Sequence, residues 1–235
     1  MTKIKYNKKQ LEAINAKDDN IVIIAPAGSG KTSTLVGAIK RYKDDNPDKN
    51  VVAITFTRKS AQDLSEKLGT YSDVETSTIH SWAYRELDRL SVKVREKYPN
   101  KSFKVKLLQE DKIKEILTDI LKRRNYSYVK VNILYSYIMG NYNMDISESL
   151  KNIFGSVLAE YIRYKRANGL YDFTDLPLYL LTKLEDYDEY IENIDGLFVD
   201  EFQDVDETQL ELFNRVRASK RFYIGDPKQS IYIFR

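Results

Sequence analysis

A glycine-rich segment followed by a lysine and a hydroxyl residue is the part of this sequence best suited to phosphate chemistry. Residues 25–32 read Ala-Pro-Ala-Gly-Ser-Gly-Lys-Thr. Glycines let backbone N–H groups turn toward phosphate oxygens, and the positive end of a following helix favours an anion there. Lys31 can reach the β- and γ-phosphates, and the Thr32 hydroxyl can bind Mg²⁺. The segment predicts a P-loop that binds a nucleoside triphosphate, and the alternative is a glycine-rich turn.

A second candidate cluster consists of carboxylates that directly follow an apolar run. Residues 197–199 are Leu-Phe-Val, and Asp200 and Glu201 come next. A carboxylate at the carboxyl end of a strand near the P-loop can hold Mg²⁺, and an adjacent glutamate can orient or deprotonate the attacking water. We therefore expect Asp200 to share the metal with Thr32 and Glu201 to act on the water. The alternative is an acidic loop, since this region is rich in acids.

Both clusters require strands and helices that bring them together. Helix-like segments at residues 31–42 and 58–68 each follow an apolar run, an alternation typical of a parallel sheet with crossover helices. The sequence therefore predicts an α/β fold with a parallel sheet flanked by helices. The short apolar, β-branched runs that predict its buried strands are residues 21–24, 51–56, 197–199 and 222–224.

The middle of the chain differs in both periodicity and charge. Apolar residues recur there at helical spacing, as at Ile113, Ile116 and Leu117. Residues 91–170 carry 16 basic and 8 acidic side chains and eight of the 18 tyrosines, whereas residues 171–210 carry 1 basic and 13 acidic side chains. Basic residues interleaved with aromatic rings suit nucleic acid, although an amphipathic bundle with solvated lysines has the same composition. This helical block between two parts of one sheet predicts an insertion into the α/β domain.

Composition excludes several other kinds of protein. The 235 residues include no cysteine and one histidine, which rules out disulfide frameworks, thiolate zinc sites, thiol nucleophiles and histidine-rich metal sites. Residues 1–10 are polar and lysine-rich, and no later run approaches the roughly 20 apolar residues of a membrane span. We expect a cytoplasmic protein with no membrane contact.

Taken together, these motifs resemble those of superfamily 1 DNA helicases of the UvrD/Rep/PcrA type. The resemblance runs through nearly the whole chain, and alanine is common in that family at the position of Ala25. It implies a RecA-like P-loop sheet with a mostly helical inserted subdomain. The segments that resemble the Q motif and motifs I, Ia, Ib, II and III are residues 7–14, 25–32, 55–61, 78–81, 200–204 and 225–235.

The resemblance implies roles for individual residues, with ATP and Mg²⁺ as cofactors. Gln10 would read adenine, and Gln229 would sense the γ-phosphate beside the catalytic residues Lys31, Asp200 and Glu201. The P-loop residues that would hold ATP are Ala27, Gly28, Ser29, Gly30, Lys31, Thr32 and Ser33. The residues that would contact single-stranded DNA are Thr55, Phe56, Thr57, Arg58, His80, Tyr232, Phe234 and Arg235.

Three aromatic side chains in these segments have alternative interpretations. Phe56 ends a predicted strand, so core packing is a rival to DNA contact. His80 can equally be a hydrogen-bonded histidine that supports its loop, because a lone imidazole rarely implies catalysis. Trp82 is expected in the core.

The resemblance also implies a domain organisation. Residues 1–88 and 172–235 would form the RecA-like domain 1A, and residues 89–171 the inserted, DNA-facing subdomain 1B. Residues 107–111 and 168–173 look like the entry to the insertion and the exit from it. Motifs IV, V and VI, which a second RecA-like domain (2A/2B) carries in that family, have no match here.

The second domain matters because it supplies arginines that stabilise the transition state, an effect worth about 10³- to 10⁵-fold in rate in related phosphoryl-transfer systems. We therefore expect these 235 residues to bind ATP–Mg²⁺ weakly and single-stranded DNA modestly. We expect slow hydrolysis and no unwinding unless such a domain acts in cis or in trans.

The implied function is the ATP-binding half of a 3′-to-5′ DNA helicase or translocase that acts on single-stranded DNA and single-strand/duplex junctions, in replication, DNA repair or phage defence. One alternative is the helicase part of a helicase–nuclease of the RecB/AddA type. Another is a module that binds ATP or DNA without being a motor. A small-molecule kinase is disfavoured because the segments resembling DNA contacts would then have no purpose. The main interpretation requires one pocket, at one sheet edge, that unites Lys31, Thr32, Asp200, Glu201 and Gln229.

Overall fold

The fold is known from a computed structural model that describes residues 5–140 and 144–229. Contacts between residues divide the chain into two compact units. The first unit comprises residues 1–86 and 177–235, and the second is Leu87–Leu176.

The first unit is built on a parallel sheet of five strands within the described residues, which confirms the predicted α/β class. Its order is β1-β5-β4-β2-β3, so β5 lies between the strand before the P-loop and the strand before Asp200. Strands β2 and β4 are buried throughout and, apart from Thr55, apolar, as expected for a sheet covered on both faces. The strands are β1 (Asn20–Ile24), β2 (Val51–Thr55), β3 (Glu75–Thr78), β4 (Gly196–Val199) and β5 (Lys220–Gly225).

Helices of the first unit cover the sheet. Leu35 and Ile39, and Leu64 of the next helix, lie in one apolar cluster with Phe198 and Phe222 of the strands. The two helices predicted after the first strands are confirmed as α2 and α3. The helices of the chain are α1 (Lys8–Ile14), α2 (Lys31–Asp45), α3 (Arg58–Leu68), α4 (Ile79–Lys97), α5 (Glu110–Arg123), α6 (Val131–Ile138), α7 (Glu148–Asn168), α8 (Leu176–Asp186) and α9 (Glu207–Asn214).

The second unit is helical, as its periodicity predicts. Helices α5, α6 and α7 enclose an apolar cluster that includes Ile113, Leu117 and Phe154. Residues 107 and 171 form a parallel bridge, in which the Leu108 N–H donates to the Tyr171 carbonyl at 2.7 Å. The two segments that look like the entry and exit of the insertion therefore lie side by side.

Parallel topology determines where loop residues gather. All five strands point the same way, so the segments after β1, β2, β4 and β5 emerge at one edge of the sheet. The P-loop, Phe56, Asp200 and Asp226 come directly after these strands and therefore lie at this edge. In the described ranges, no helix is long and apolar enough to cross a membrane.

Candidate nucleotide-binding site

The P-loop connects β1 to α2 and has the backbone geometry that phosphate binding requires. Gly28 and Gly30 have φ angles of 69° and 80°, in the left-handed region that glycine adopts without strain. Helix α2 begins at Lys31, so its free N–H groups and positive dipole end face the loop. The buried hydroxyl of Ser29 has no hydrogen-bond partner among the described residues. The loop therefore offers donors that fit a phosphate group.

The P-loop and the acidic strand end meet through Thr32 and Asp200. The Thr32 hydroxyl donates to Asp200 Oδ2 at 2.9 Å, and the Glu201 N–H donates to Asp200 Oδ1 at 3.0 Å. Asp200 is buried, and burial raises its pKa against the opposing effect of the Thr32 hydrogen bond. This pair of oxygens at a phosphate-binding loop is a donor set that suits Mg²⁺.

Magnesium in such a site needs few protein ligands. No group of three or more His, Cys, Asp or Glu side chains placed to hold a metal occurs within residues 5–140 and 144–229. Mg²⁺ usually keeps several waters and is held by one or two carboxylates together with substrate phosphates. Thr32 and Asp200 therefore fit a metal that arrives with a triphosphate.

Lys31 and Glu201 lie beside this pair. Lys31 is buried, and its Nζ is 3.5 Å from Glu201 Oε2. Glu201 has φ 51° and ψ 43°, a left-handed conformation that is uncommon outside glycine. Strained backbone of this kind concentrates at functional sites, where the surrounding structure maintains it. The structure thus brings together four of the five residues expected in one pocket.

Gln229, the fifth, lies on the neighbouring loop. It ends the 3₁₀ turn Pro227–Gln229 after β5, where its N–H donates to the Asp226 carbonyl at 2.8 Å. Its side chain is exposed, and within the described residues it makes no hydrogen bond to Lys31, Thr32, Asp200 or Glu201.

Gln10 reaches the P-loop from the first helix. Its backbone N–H donates to the Asn7 side chain at 3.0 Å, which caps α1, and its Oε1 accepts the Asn7 N–H at 2.9 Å. Its Nε2 donates to the Ser29 carbonyl at 2.9 Å. A Cβ at Gly30 would lie 2.7 Å from that nitrogen, so glycine is needed for this approach. The expected adenine reader therefore lies against the P-loop.

The residues expected to contact DNA lie after β2 and at the start of α4. Phe56 is 37% exposed, so it lies at the surface and not in the core. Thr55 is buried, and its hydroxyl donates to the Thr57 carbonyl at 3.1 Å. Thr57 caps α3 by accepting the Ser60 N–H at 3.0 Å. Arg58 follows it and is exposed.

The remaining candidates differ in placement. His80 is half-buried in the first turn of α4. Trp82 is fully buried, with its ring 6.0 Å from that of Phe213, so its expected core position is confirmed. Tyr232, Phe234 and Arg235 lie outside the described residues.

Sequence reasoning did not single out Gln203. This residue belongs to the 3₁₀ turn Phe202–Asp204, and its amide contacts both Glu201 and the backbone of Asp226. The sequence signal that could have identified it is its position within the segment 200–204, which resembles motif II. An amide can face a carboxylate and a peptide N–H at once, but the second contact depends on a loop remote in sequence.

Comparison with known proteins places this chain in a family. Residues 6–235 match the family model described as the UvrD/REP helicase N-terminal domain. The chain belongs to this family. The suspected resemblance to UvrD/Rep/PcrA-type helicases is thereby confirmed.

Three curated relatives of this UvrD/REP helicase domain are similar over 97% of the chain. A probable DNA helicase II homolog of Mycoplasma capricolum is 28% identical over 35% of its own length. The ATP-dependent DNA helicase PcrA of Bacillus subtilis is 28% identical over 34%, and the ATP-dependent DNA helicase Rep of Buchnera aphidicola is 29% identical over 38%. The chain spans about a third of the length of these relatives.

Proposed function

We propose that this chain is the ATP-binding part of an ATP-dependent DNA helicase or translocase that moves 3′ to 5′ on single-stranded DNA in the cytoplasm. The observation that carries the proposal is the hydrogen bond from Thr32 to Asp200, which joins the P-loop to the acidic strand end. Membership of the UvrD/REP helicase family and relatives named ATP-dependent DNA helicases support it.

The site geometry supports ATP hydrolysis. Phosphate oxygens would bind at the start of α2, where the buried ammonium of Lys31 neutralises negative charge. Glu201, whose carboxylate lies 3.5 Å from that ammonium, would orient and deprotonate the attacking water. Thr32 and Asp200 would hold Mg²⁺, which supplies charge neutralisation between the β- and γ-phosphates.

Single-stranded DNA would bind along the same sheet edge. The exposed ring of Phe56 can stack on a base, and the exposed guanidinium of Arg58 can contact a phosphate. Buried Thr55 would act by fixing the turn that carries them. His80, Tyr232, Phe234 and Arg235 complete the proposed DNA-binding set.

The proposed domain organisation assigns residues 1–88 and 172–235 to domain 1A and residues 89–171 to subdomain 1B. The basic excess of residues 91–170 supports contact between 1B and duplex DNA at a junction. A second RecA-like domain, in cis or in trans, would supply the arginines that accelerate hydrolysis by about 10³- to 10⁵-fold. The 235 residues alone would hydrolyse slowly and not unwind.

Single-turnover hydrolysis of radiolabelled ATP, with and without oligo-dT, tests this function. We expect Glu201→Gln to retain ATP–Mg²⁺ binding and to lose hydrolysis by about 100-fold or more. Oligo-dT should stimulate the wild-type chain. A chain unaffected by both oligo-dT and Glu201→Gln would instead be a binding module without motor function.

A further inference from the structure

The side chain of Gln203 connects two segments of the candidate site. Its Nε2 donates to Glu201 Oε2 at 3.0 Å, and its Oε1 accepts the backbone N–H of Asp226 at 2.9 Å. A primary amide presents donors at one end and an acceptor at the other. The amide therefore satisfies both a carboxylate and a peptide N–H, so the residue type is matched to these two neighbours.

The backbone around Gln203 is built for this close approach. A Cβ at Gly225 would lie 2.6 Å from Gln203 Oε1 and 3.0 Å from the Gln203 backbone nitrogen. Any larger residue at the end of β5 would therefore displace the turn that carries the amide. The preceding ring, Phe202, stacks on Tyr223 of β5 with centroids 4.6 Å apart and planes 14° apart. Packing thus holds this turn against the strand.

The Glu201 carboxylate is partly open to solvent, so burial alone does not fix its orientation. Its side chain is 37% exposed, and its backbone is in the left-handed region. Two groups hold the same oxygen, Oε2: the Lys31 ammonium at 3.5 Å and the Gln203 amide at 3.0 Å. The amide contact is the shorter and more directional of the two.

Through the same amide, Glu201 is linked to the loop that follows β5. The Asp226 carboxylate accepts the Lys228 N–H at 3.1 Å, and its carbonyl accepts the Gln229 N–H at 2.8 Å. Asp226 therefore organises the turn that ends at Gln229. A shift of this turn moves the Asp226 N–H, and with it the amide that orients Glu201.

We propose that Gln203 is a positioning residue that fixes the Glu201 carboxylate and ties it to the loop 225–229. The proposal rests on the proposed function, because it assigns Glu201 to the attacking water. It extends that function by naming the path through which the loop after β5 controls hydrolysis. Gln203 itself touches neither phosphate nor water in this role.

Two substitutions test the Gln203 amide: one removes both its donor and its acceptor, and the other removes only the donor. Gln203→Met keeps the length but removes both donor and acceptor. Gln203→Glu keeps an acceptor for the Asp226 N–H and places a carboxylate against Glu201. The matched control is Gln62→Met, since Gln62 also donates to a glutamate, Glu66 Oε1 at 3.1 Å, on the exposed face of α3.

The readouts are the dissociation constant of a fluorescent ATP analogue with Mg²⁺ and the single-turnover hydrolysis rate constant. Partners that orient metal ligands are typically worth about 10- to 100-fold, and we expect both Gln203 variants to lose a similar factor in rate. The dissociation constant should stay within about twofold, as for loss of an interaction made only in the transition state. Gln62→Met should match wild type in both.

A double-mutant cycle and hydrogen exchange distinguish positioning from simple destabilisation. On a Glu201→Gln background, Gln203→Met should cause no further loss of rate, because the two residues act as one unit. Exchange of the Asp226 amide should accelerate in Gln203→Met and stay slow in Gln203→Glu, which keeps the acceptor. Emission of Trp82, the single tryptophan, reports whether each variant is folded.

The outcomes separate the two proposals. Normal hydrolysis by Gln203→Met or Gln203→Glu, alongside impaired Glu201→Gln, overturns the role of Gln203 and leaves the proposed function intact. Full additivity of Gln203→Met with Glu201→Gln also overturns it. If Glu201→Gln hydrolyses like wild type, the proposed function itself fails. If Gln203→Met does not fold, the nearly isosteric Gln203→Glu decides the result.

Discussion

The Thr32 hydroxyl and the Asp200 carboxylate are hydrogen-bonded at 2.9 Å although 168 positions separate them in sequence. The strands before them, β1 and β4, are not neighbours, because β5 lies between them in the sheet. The P-loop therefore reaches across the end of β5 to meet the acidic strand end. This contact places the proposed phosphate and metal groups of the UvrD/REP helicase domain in one site.

Removal of the Thr32 hydroxyl should weaken magnesium binding. Thr32→Val keeps the volume but leaves the buried Asp200 carboxylate without this donor, which should lower the free energy of unfolding by about 1–3 kcal/mol. The gain in ATP affinity that Mg²⁺ confers should fall by about 10- to 100-fold, as for loss of a metal-site partner. Calorimetric titration of ATP with and without Mg²⁺ measures this gain. Thr32→Ser, which keeps the hydroxyl, is the control, and equal magnesium dependence in Thr32→Val contradicts the assignment.

The stability of the second unit should depend on a buried ion cluster. Asp172 is fully buried, and its Oδ2 accepts the Lys165 ammonium at 2.7 Å and the Tyr161 hydroxyl at 2.9 Å. Loss of one partner of a buried pair costs about 3–5 kcal/mol, so Asp172→Asn should lower the free energy of unfolding by that amount. Asp175→Asn should cost less, since Asp175 is 33% exposed. Urea unfolding followed by circular dichroism measures both, and equal losses would contradict this ranking.

The same cluster should make stability depend on pH in two opposing ways. Burial disfavours the Asp172 carboxylate, but the Lys165 ammonium outweighs it and lowers the pKa of Asp172. Burial, followed by the Asp172 charge, raises the pKa of Asp175. Asp172 thus contributes stability above the ordinary aspartate pKa of about 3.9 that is lost as pH falls through its lowered value. Asp175 contributes stability at low pH that is lost as pH rises through its raised value.

Asp175→Asn should remove the pH dependence of stability that comes from Asp175 and keep the one that comes from Asp172. The stability of this variant relative to wild type should therefore improve as pH rises from about 3.9 through the raised pKa of Asp175. Urea midpoints collected across acidic to neutral pH give this difference. A relative stability that stays constant or declines over that interval would show that Asp175 titrates otherwise.

Gln10 should contribute to the choice of nucleotide. Its amide lies against the Ser29 carbonyl, so adenine bound beside the P-loop can pair with it. Gln10→Ala should weaken ATP by about 10-fold, or about 1.4 kcal/mol, and leave GTP nearly unchanged. Competition titrations against a fluorescent nucleotide compare the two. Asn7→Ala, which breaks the cap of α1 but keeps the Gln10 amide, is the control, and unchanged discrimination in Gln10→Ala argues against adenine recognition.

Much of the fold is predictable because its signals are local. The runs at residues 51–56 and 197–199 are rich in β-branched and aromatic residues, and they contain β2 and most of β4, the fully buried central strands, while Phe56 lies just beyond β2. Strand β3 was not predicted because Glu75–Thr78 contains no apolar run, and it lies at the sheet edge where partial burial suffices. Sequence periodicity detects burial, so it detects edge strands poorly.

The candidate site likewise combines residues that local sequence signals predict with residues whose contacts depend on remote parts of the chain. The P-loop and Asp200 follow strands directly, and topology alone places them at one edge. The contact of Gln203 with the Asp226 N–H depends on the left-handed backbone of Glu201 and on the missing Cβ of Gly225. The ion cluster of Lys165 with Asp172 was likewise hidden, because charged residues in a basic segment suggest a solvated surface until their burial is known.

The central claim is that Lys31 and Asp200 act on the same bound ATP–Mg²⁺. Titration of a fluorescent ATP analogue against wild type, Lys31→Ala, Asp200→Asn and the double variant tests it most directly. The account predicts that each single variant weakens Mg²⁺-dependent binding by at least about 10-fold and that the double variant loses less than the sum of the two free energies, as for contacting groups on one ligand. Binding by Asp200→Asn that equals wild type, with the same magnesium dependence, would contradict it.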